Sequence, residues 1–114
     1  MRMWMIDPSL MCRQHLLGEH NELHMLAGCL RLGRSILGYA RRGLVDATAV
    51  AVRHRELAAE MLRRGFQHHS PLDVVAPVPE EPGQVDPNRS LKELLSRCSR
   101  CRERYSLYSI GAPR

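Results

Sequence analysis

The stretch QHLLGEHNEL, residues 14–23, sets polar side chains among leucines that recur at helical spacing. His15, Glu19 and Glu22 are four and three residues apart, so on an α-helix they share one face. Two carboxylates on one face repel each other, and partial burial raises the pKa of at least one of them. Acid–base pairs are built in this way, although a solvated helix face is the competing interpretation. The stretch therefore predicts a helix that carries a candidate site.

The apolar periodicity around this stretch predicts an all-α protein, a single compact domain of three main helices with irregular connectors over residues 1–114. The first helix is expected over residues 8–32, because Asp7 is a capping carboxylate that precedes a proline. The second is expected over residues 46–64, with Gly65 as a left-handed cap. Both predictions rest on local signals at the helix ends.

The last part of the chain has a different composition. Residues 70–88 hold five of the seven prolines and are expected to form a loop without helix. Ser90 and Glu93 have the spacing of a capping box, which predicts that a third helix begins there and continues through Cys98. No segment alternates as a strand does.

The formal charge of +5 favours a polyanionic partner. Lys92 is the only lysine among 17 basic residues, but a GC-rich genome produces the same arginine excess without selection for binding. No run of about 18 apolar residues is present to span a membrane, and Asp7 interrupts any run of signal-peptide length. We therefore expect a cytoplasmic protein, in which the four cysteines are thiols or metal ligands.

Two cysteine-containing pairs share the same short spacing. Cys98 and Cys101 form a CxxC pair, and Cys12 precedes His15 by three residues, so together they offer the four ligands of a structural zinc site. Both pairs fall within predicted helices, whereas zinc-binding pairs usually lie on turns. Free cysteine is also among the most frequently buried residues. Simple packing is the favoured interpretation, and no metal is expected.

Two other clusters have ordinary explanations. His68 and His69 follow the predicted end of the second helix, where the helix dipole accounts for histidine without a ligand role. A dense set of arginines near the C-terminus fits a phosphate-binding surface and a solvated face equally well: Arg97, Arg100, Arg102 and Arg104. Neither cluster decides the function.

Three stretches together resemble the phage-type pyrimidine dimer DNA glycosylases, the endonuclease V family. QHLLGEHNEL resembles the first-helix signature of that family, and RHRELAAEMLRRGF, residues 53–66, is similar to its middle helix. Arg89 and Arg97 match the spacing of two arginines on its last helix. Asn21 and Met25 depart from the pattern, since the family has arginines there that grip the DNA backbone at the lesion.

The resemblance implies a repair enzyme for damaged duplex DNA, with cyclobutane pyrimidine dimers as the favoured lesion. The N-terminal amine would form an imine with the sugar C1′ as the glycosidic bond breaks, and β-elimination would then cleave the abasic site. In register, the amine belongs to Met1 and the assisting carboxylate to Glu22. The family pattern implies no metal or organic cofactor, and we expect a nucleoid-associated monomer. The implied DNA contacts are Arg2, Gln14, His15, Arg31, Arg89 and Arg97.

Amine chemistry supports the same assignment independently. An imine-forming amine must be neutral; α-amino groups titrate at about 7.7–8.0 and lysine side chains at about 10.4. Near pH 7 roughly a tenth of the former is neutral, against well under a thousandth of the latter. The amines of the chain are the α-amino group of Met1 and the side chain of Lys92. We expect Met1 to be retained, because Arg2 is too bulky for the ordinary removal of the initiator methionine. We therefore expect the amine of Met1 to react, Glu22 to stabilise the sugar cation, and Glu19 to be structural, paired with an arginine.

Two alternatives belong to other classes of protein. One is a non-catalytic nucleic-acid-binding module whose fold is stabilised by a zinc ion, with four ligands: Cys12, His15, Cys98 and Cys101. In that case the first helix supplies only core residues and ligands. The other is an adaptor for a protein partner, which salt-dependent DNA affinity would exclude, since binding that displaces counterions from DNA is sensitive to salt.

Overall fold

The computed structural model describes residues 1–68, 70–72 and 77–109. Within these ranges the protein is all-α and contains no strand, so the predicted class is confirmed. None of the described helices combines the length and the hydropathy that crossing a bilayer requires. Two 3-10 turns accompany the helices, at Pro8–Leu10 and Ala47–Ala49. The helices are α1 (Arg13–Arg31), α2 (Leu37–Arg41), α3 (Val50–Arg63), α4 (Pro87–Arg97) and α5 (Ser99–Ser109).

The first helix begins later than predicted. Asp7 caps only the 3-10 turn, where its carboxylate accepts bonds from the backbone N–H and the hydroxyl of Ser9. The chain then becomes extended at Met11, and Cys12 caps α1 by accepting a hydrogen bond from the backbone N–H of His15. Asp7 was correctly predicted to be a capping residue, but it caps a single 3-10 turn and not the long first helix.

A distant arginine explains this interruption. The Arg64 guanidinium donates to the carbonyl oxygens of Pro8 and Met11, at 3.0 and 2.7 Å. In a continuous helix those carbonyls would accept bonds from N–H groups one turn later. The Arg104 side chain holds the carbonyl of Ser9 in the same way, at 3.0 Å. Side chains from α5 and the end of α3 therefore bind backbone carbonyls in residues 8–11. The Pro8 carbonyl also keeps its 3-10 bond from the N–H of Met11, at 3.1 Å.

A buried ion pair joins α1 to α3. Arg53 on α3 is 2% exposed, and its Nε and Nη2 atoms donate to both carboxylate oxygens of Glu19 on α1, at 2.6 and 3.0 Å. The remaining Nη1 donates to the carbonyl of Ile6 at 2.7 Å. Glu19 is thus structural and paired with an arginine, as expected. The apolar contacts around the pair come from both helices: Leu16, Leu23, Leu26, Leu57 and Met61.

The N-terminal segment is extended and partly buried. The backbone N–H of Met3 donates to the carbonyl of Leu44 at 2.7 Å, and the side chains of Met3, Trp4 and Ile6 belong to the core. Since Arg53 holds Ile6 from the other side, the segment is fixed at both ends. This anchoring determines where the amino terminus lies.

The proline-rich region contains no helix in its described part before Pro87, as predicted, and residues 73–76 lie outside the described residues. It packs on the chain near Val45, because Pro82 accepts a hydrogen bond from the N–H of Ala47 at 2.9 Å. Gly83 has a positive φ of 85°, and a Cβ there would collide with the Val45 carbonyl. A glycine is required at this close approach.

The later helix boundaries differ in detail from the predictions. Residues 47–49 form a 3-10 turn before α3, whereas Gly65 has the left-handed conformation expected of a cap. The capping box at Ser90 was wrong, because Asp86 caps α4 before Pro87 and Ser90 is buried inside the helix. Cys98 is extended and divides the predicted third helix into α4 and α5.

We predict that Glu19→Gln lowers the free energy of unfolding by about 3–5 kcal/mol, because it leaves the buried Arg53 charge uncompensated. Urea unfolding followed by fluorescence of Trp4, the single tryptophan, measures the change. Glu56→Gln is the matched control. It removes a 3.3 Å contact from the same guanidinium, but the Glu56 side chain is 49% exposed, so the cost should stay below about 1 kcal/mol. Equal losses in the free energy of unfolding for the two variants would show that the buried ion pair stabilises the fold no more than the exposed one.

Candidate active site

Glu22 on α1 lies beside the amino terminus. It is half-buried, and the backbone N–H of Arg2 favours the ionised form of its carboxylate and so lowers its pKa. Burial raises the pKa of Glu22 above its ordinary value, and repulsion from Glu19 adds to this. The positive amino group of Met1 and the Arg2 side chain act in the opposite direction, since both stabilise the carboxylate. A carboxyl group poised for proton transfer therefore lies within electrostatic reach of an amine.

Met1 itself is only partly buried. Its side chain packs against the core, and the hydrogen bond from Met3 to Leu44 holds the segment that follows. The amine therefore lies at the end of an anchored segment, and its charge acts on Glu22 of α1. The two expected catalytic residues, Met1 and Glu22, are brought together by the fold.

An arginine-lined cleft begins at residue 2. It has a volume of about 540 Å³, and among the described residues of its lining Glu93 is the one that is acidic. Glu93 binds Arg2 at 2.6 Å, while Arg97 and Arg89 approach the same carboxylate at 3.6 and 3.8 Å. The positive charge of the lining exceeds what one glutamate can balance. The basic residues of this arginine cleft are Arg2, Arg41, Arg42, Arg89 and Arg97.

Three of the six expected DNA contacts thus line the arginine cleft: Arg2, Arg89 and Arg97. Gln14 and Arg31 are exposed near opposite ends of α1, and neither belongs to the cleft lining. The Arg2 guanidinium also stacks on the ring of Trp4, 3.9 Å from its centroid. Phosphate binding through Arg2 would therefore compete with Glu93 for a guanidinium that is already oriented.

His15 lies among sulfur atoms. Its Nδ1 atom is 3.2 Å from the sulfur of Cys12 and 3.8 Å from that of Cys101. Burial and then the charge of Arg97 lower the pKa of His15. The ring also meets Trp4 edge-on, with centroids 5.8 Å apart. The sixth expected DNA contact is thus better suited to ligating a metal.

Cys12, His15, Cys98 and Cys101 form what we call the Cys3His group, whose four ligand atoms lie within 4.8 Å of one another. The expectation that both pairs lie inside helices was wrong. Cys12 is the capping residue of α1, and Cys98 is the extended residue between α4 and α5. These boundary positions are the kind on which zinc-binding pairs usually occur.

A second set of ligand atoms was missed by the sequence reasoning. The Nε2 atom of His20 is 3.1 Å from that of His54 and 2.9 Å from that of His68. Burial, followed by the neighbouring imidazoles, lowers the pKa of His20 to about 4, and burial also lowers the pKa of His54. Neutral imidazoles whose nitrogens converge in this way are able to hold a divalent metal.

The signal for this histidine set is present in the sequence but spread over three segments. His20 and His24 are one turn apart on α1, and His54 lies on the face of α3 that packs against it. His68 follows the Gly65 cap and was assigned to the helix dipole, whereas it contacts His20 directly. His69 lies outside the described residues. Only the packing of α1 on α3 brings the histidines together.

The raised pKa of Glu22 gives a pH-dependent prediction for Glu22→Gln. A carboxyl whose folded pKa is raised stabilises the fold below its unfolded pKa and loses this contribution as pH rises through the folded value. The wild type should therefore gain melting temperature relative to Glu22→Gln when pH falls from 7 to 4.

Glu93→Gln is the control, for which the expected change in relative melting temperature has the opposite sign. Arg2, through its hydrogen bond and charge, lowers the pKa of Glu93, so this group stabilises the fold above its unfolded pKa and loses the contribution on acidification. The wild type should lose melting temperature relative to Glu93→Gln over the same interval. Shifts of the same sign for the two variants would contradict the environments assigned to the two carboxylates.

The sequence matches a known protein family. The model of the pyrimidine dimer DNA glycosylase family matches residues 1–74, well over half of the chain. The matched range contains Met1, Glu22 and the Glu19–Arg53 pair, whereas α4 and α5 lie beyond it. No curated protein and no solved structure matches the chain. The chain belongs to the pyrimidine dimer DNA glycosylase family.

Proposed function

We propose that this glycosylase also cleaves abasic sites, with the amine of Met1 as the imine-forming nucleophile and Glu22 as the catalytic carboxylate. One observation carries the proposal: the amino terminus and the Arg2 N–H both act on the Glu22 carboxylate. The favoured substrate is a cyclobutane pyrimidine dimer in duplex DNA. The protein would act as a monomer associated with the nucleoid.

The chemistry requires one amine and one carboxylate. The neutral amine attacks C1′, the glycosidic bond breaks, and its electron pair leaves with the base, which takes up a proton. The C1′–O4′ bond of the sugar ring then breaks and O4′ takes up a proton. The amine nitrogen, which has lost one proton, becomes the nitrogen of a protonated imine at C1′. Positive charge develops on the sugar during this step, and an ionised Glu22 stabilises it. The same carboxylate can then take the C2′ proton, after which the C3′–O bond breaks by β-elimination.

The pKa of Glu22 suits both tasks. A general acid–base group works best when its pKa approaches the working pH, and burial shifts this carboxyl in that direction. The nearby amine and the Arg2 N–H keep the ionised form accessible. Glu22 is therefore able to stabilise a cation when ionised and to deliver a proton when protonated.

The arginine cleft is proposed to bind the DNA backbone. Its five arginines converge next to residue 2, and guanidinium groups bind phosphate through paired hydrogen bonds. Arg41 and Arg42 thus join Arg2, Arg89 and Arg97 as phosphate contacts. Gln14 and Arg31 remain proposed contacts beyond the cleft, while His15 is better explained by its sulfur neighbours.

A second candidate function is favoured by one specific observation, the Cys3His group. Its three sulfurs and one imidazole fit a non-catalytic nucleic-acid-binding module whose fold is stabilised by a bound zinc ion. Such a module would bind DNA through the arginine cleft and leave the amine of Met1 without a chemical role. Covalent trapping separates the two candidates.

Borohydride reduction in the presence of an abasic-site duplex should trap the untagged protein covalently on DNA. The trap should fail after acetylation or extension of the N-terminus, because the nucleophile is then blocked. Lys92→Arg, which removes the only side-chain amine, should trap as the wild type does. Intact mass measured beforehand establishes that Met1 is retained.

Glu22→Gln should lower dimer excision by about 10²–10⁴-fold, the range expected for loss of a positioned acid–base group. Single-turnover assays on a dimer-containing duplex measure the rate. Excision at the wild-type rate would remove Glu22 from the mechanism. If the N-terminally acetylated protein is trapped on DNA as efficiently as the wild type, Met1 is not the nucleophile. If none of the proteins forms a covalent adduct with DNA, the non-catalytic binding module is favoured.

Arg42→Gln and Arg97→Gln should each weaken DNA binding and reduce the slope of log K against log salt by about 1, as expected for loss of one phosphate contact. Fluorescence anisotropy over a range of salt concentrations measures both quantities. Arg55→Gln, an exposed arginine of α3 that is not part of the cleft lining, is the matched control. Equal losses in all three variants would show that the binding depends on net charge alone.

A further inference from the structure

The atoms of the Cys3His group already have the spacing of a metal site. The sulfur atoms of Cys12 and Cys98 are 3.8 Å apart, and His15 Nδ1 is 3.2 and 3.8 Å from the sulfurs of Cys12 and Cys101. A tetrahedral zinc ion with Zn–S about 2.3 Å and Zn–N about 2.0 Å sets its ligand sulfurs about 3.8 Å apart and sulfur about 3.5 Å from nitrogen. The observed distances scatter around these values.

Backbone N–H groups point at all three sulfurs. Cys101 Sγ accepts from the N–H of Cys12 at 3.3 Å, Cys12 Sγ from that of His15 at 3.5 Å, and Cys98 Sγ from that of Cys101 at 3.4 Å. Such outer contacts orient metal-bound thiolates and stabilise their negative charge. Cys12 is 3% exposed and Cys101 is fully buried. Four protein ligands in a closed setting are typical of a structural site.

Two arginines balance the charge of such a site. Three thiolates and a neutral imidazole around Zn²⁺ leave one net negative charge. Arg97 lies within electrostatic reach of His15, and Arg104 within reach of Cys101. A cation-rich surface therefore accommodates the anionic centre.

A disulfide does not explain the same arrangement. The Cys12 and Cys98 sulfurs are 3.8 Å apart, whereas a disulfide bond is about 2.05 Å long. A bond between any two of the cysteines would leave the third facing His15 without a partner. Convergence of three sulfurs and one ring nitrogen on one point is the property of a metal site.

We propose that the Cys3His group binds one structural zinc ion, which joins the start of α1 to the junction of α4 and α5. Cys98 and Cys101 lie outside the family-matched residues 1–74, so this zinc would fasten the C-terminal helices onto the part of the chain that carries the catalytic pair. The helix α4 contributes Arg89 and Arg97 to the arginine cleft. The zinc thereby fixes one wall of the cleft, and this role does not depend on the lyase chemistry.

Metal analysis of the reduced, untagged protein tests the proposal. Cys98→Ser should contain one zinc equivalent per chain less than the wild type. Cys29→Ser is the matched control, because Cys29 lies near the end of α1 outside the Cys3His group and should leave the zinc content unchanged. The comparison between the two serine variants isolates this site from any metal on the histidine set.

Cobalt substitution provides a measurement that does not depend on whether Cys98→Ser folds. The wild type and Cys29→Ser should both give sulfur-to-cobalt charge-transfer bands and the intense visible absorption of tetrahedral coordination. His15→Cys should keep the metal as a four-sulfur site, with stronger charge transfer. Zinc added in excess should displace the cobalt from all three proteins.

Several results would overturn the proposal. A reduced wild-type protein that holds no zinc and gives no thiolate–cobalt bands has no such site. A folded Cys98→Ser variant that contains as much zinc as the wild type binds that zinc elsewhere. Loss of the zinc in Cys29→Ser, or a disulfide between Cys98 and Cys101 in the protein as isolated under anaerobic conditions, would equally exclude it.

Discussion

The bidentate pair between Arg53 and Glu19 is the contact on which the arrangement of the site depends. Glu19 is three residues from Glu22 on α1, and the same guanidinium holds the carbonyl of Ile6 in the segment that begins at Met1. One buried cation therefore holds both the helix that carries Glu22 and the segment that follows Met1. A guanidinium suits this task because its fork donates to three acceptors in one plane, whereas a lysine offers a point charge. Burial of the pair excludes water, so loss of either partner exposes an uncompensated charge in the interior.

The two carboxylates of the first helix have opposite environments. Glu19 is fully paired in the interior, and Glu22 meets the amino terminus at the surface, where burial alone outweighs the stabilising charges. Two like groups on one helix face thus have different surroundings, which is the basis on which we propose a chemical role for Glu22 alone. The lining of the arginine cleft includes Arg2, so the groups that we propose to bind phosphate begin one residue from the amine that we propose as the nucleophile. Arg2 links the two parts of the proposed site, because its backbone N–H lowers the pKa of Glu22 and its side chain lines the cleft.

Local signals in the sequence predicted the all-α class, the cap at Gly65 and the pairing of Glu19 with an arginine. They failed where a distant residue decides the local structure. Arg64 takes the carbonyls of Pro8 and Met11 and delays the first helix, and no pattern within residues 8–12 contains that information. Two capping signals compete before α4, and Asp86 is the cap because its carboxylate accepts two backbone N–H groups while Ser90 is buried. The histidine set and the cleft arginines Arg41 and Arg42 likewise become neighbours only through tertiary packing.

The central claim is that the amine of Met1 reacts at the sugar carbon with Glu22 beside it. The most direct measurement is the position of the covalent bond in the reduced protein–DNA adduct, read by mass spectrometry of the proteolysed complex. We expect the sugar remnant on the α-nitrogen of Met1 in the wild type and in Lys92→Arg alike. Attachment at Lys92, or a dimer-excising protein that gives no adduct at all, would contradict it.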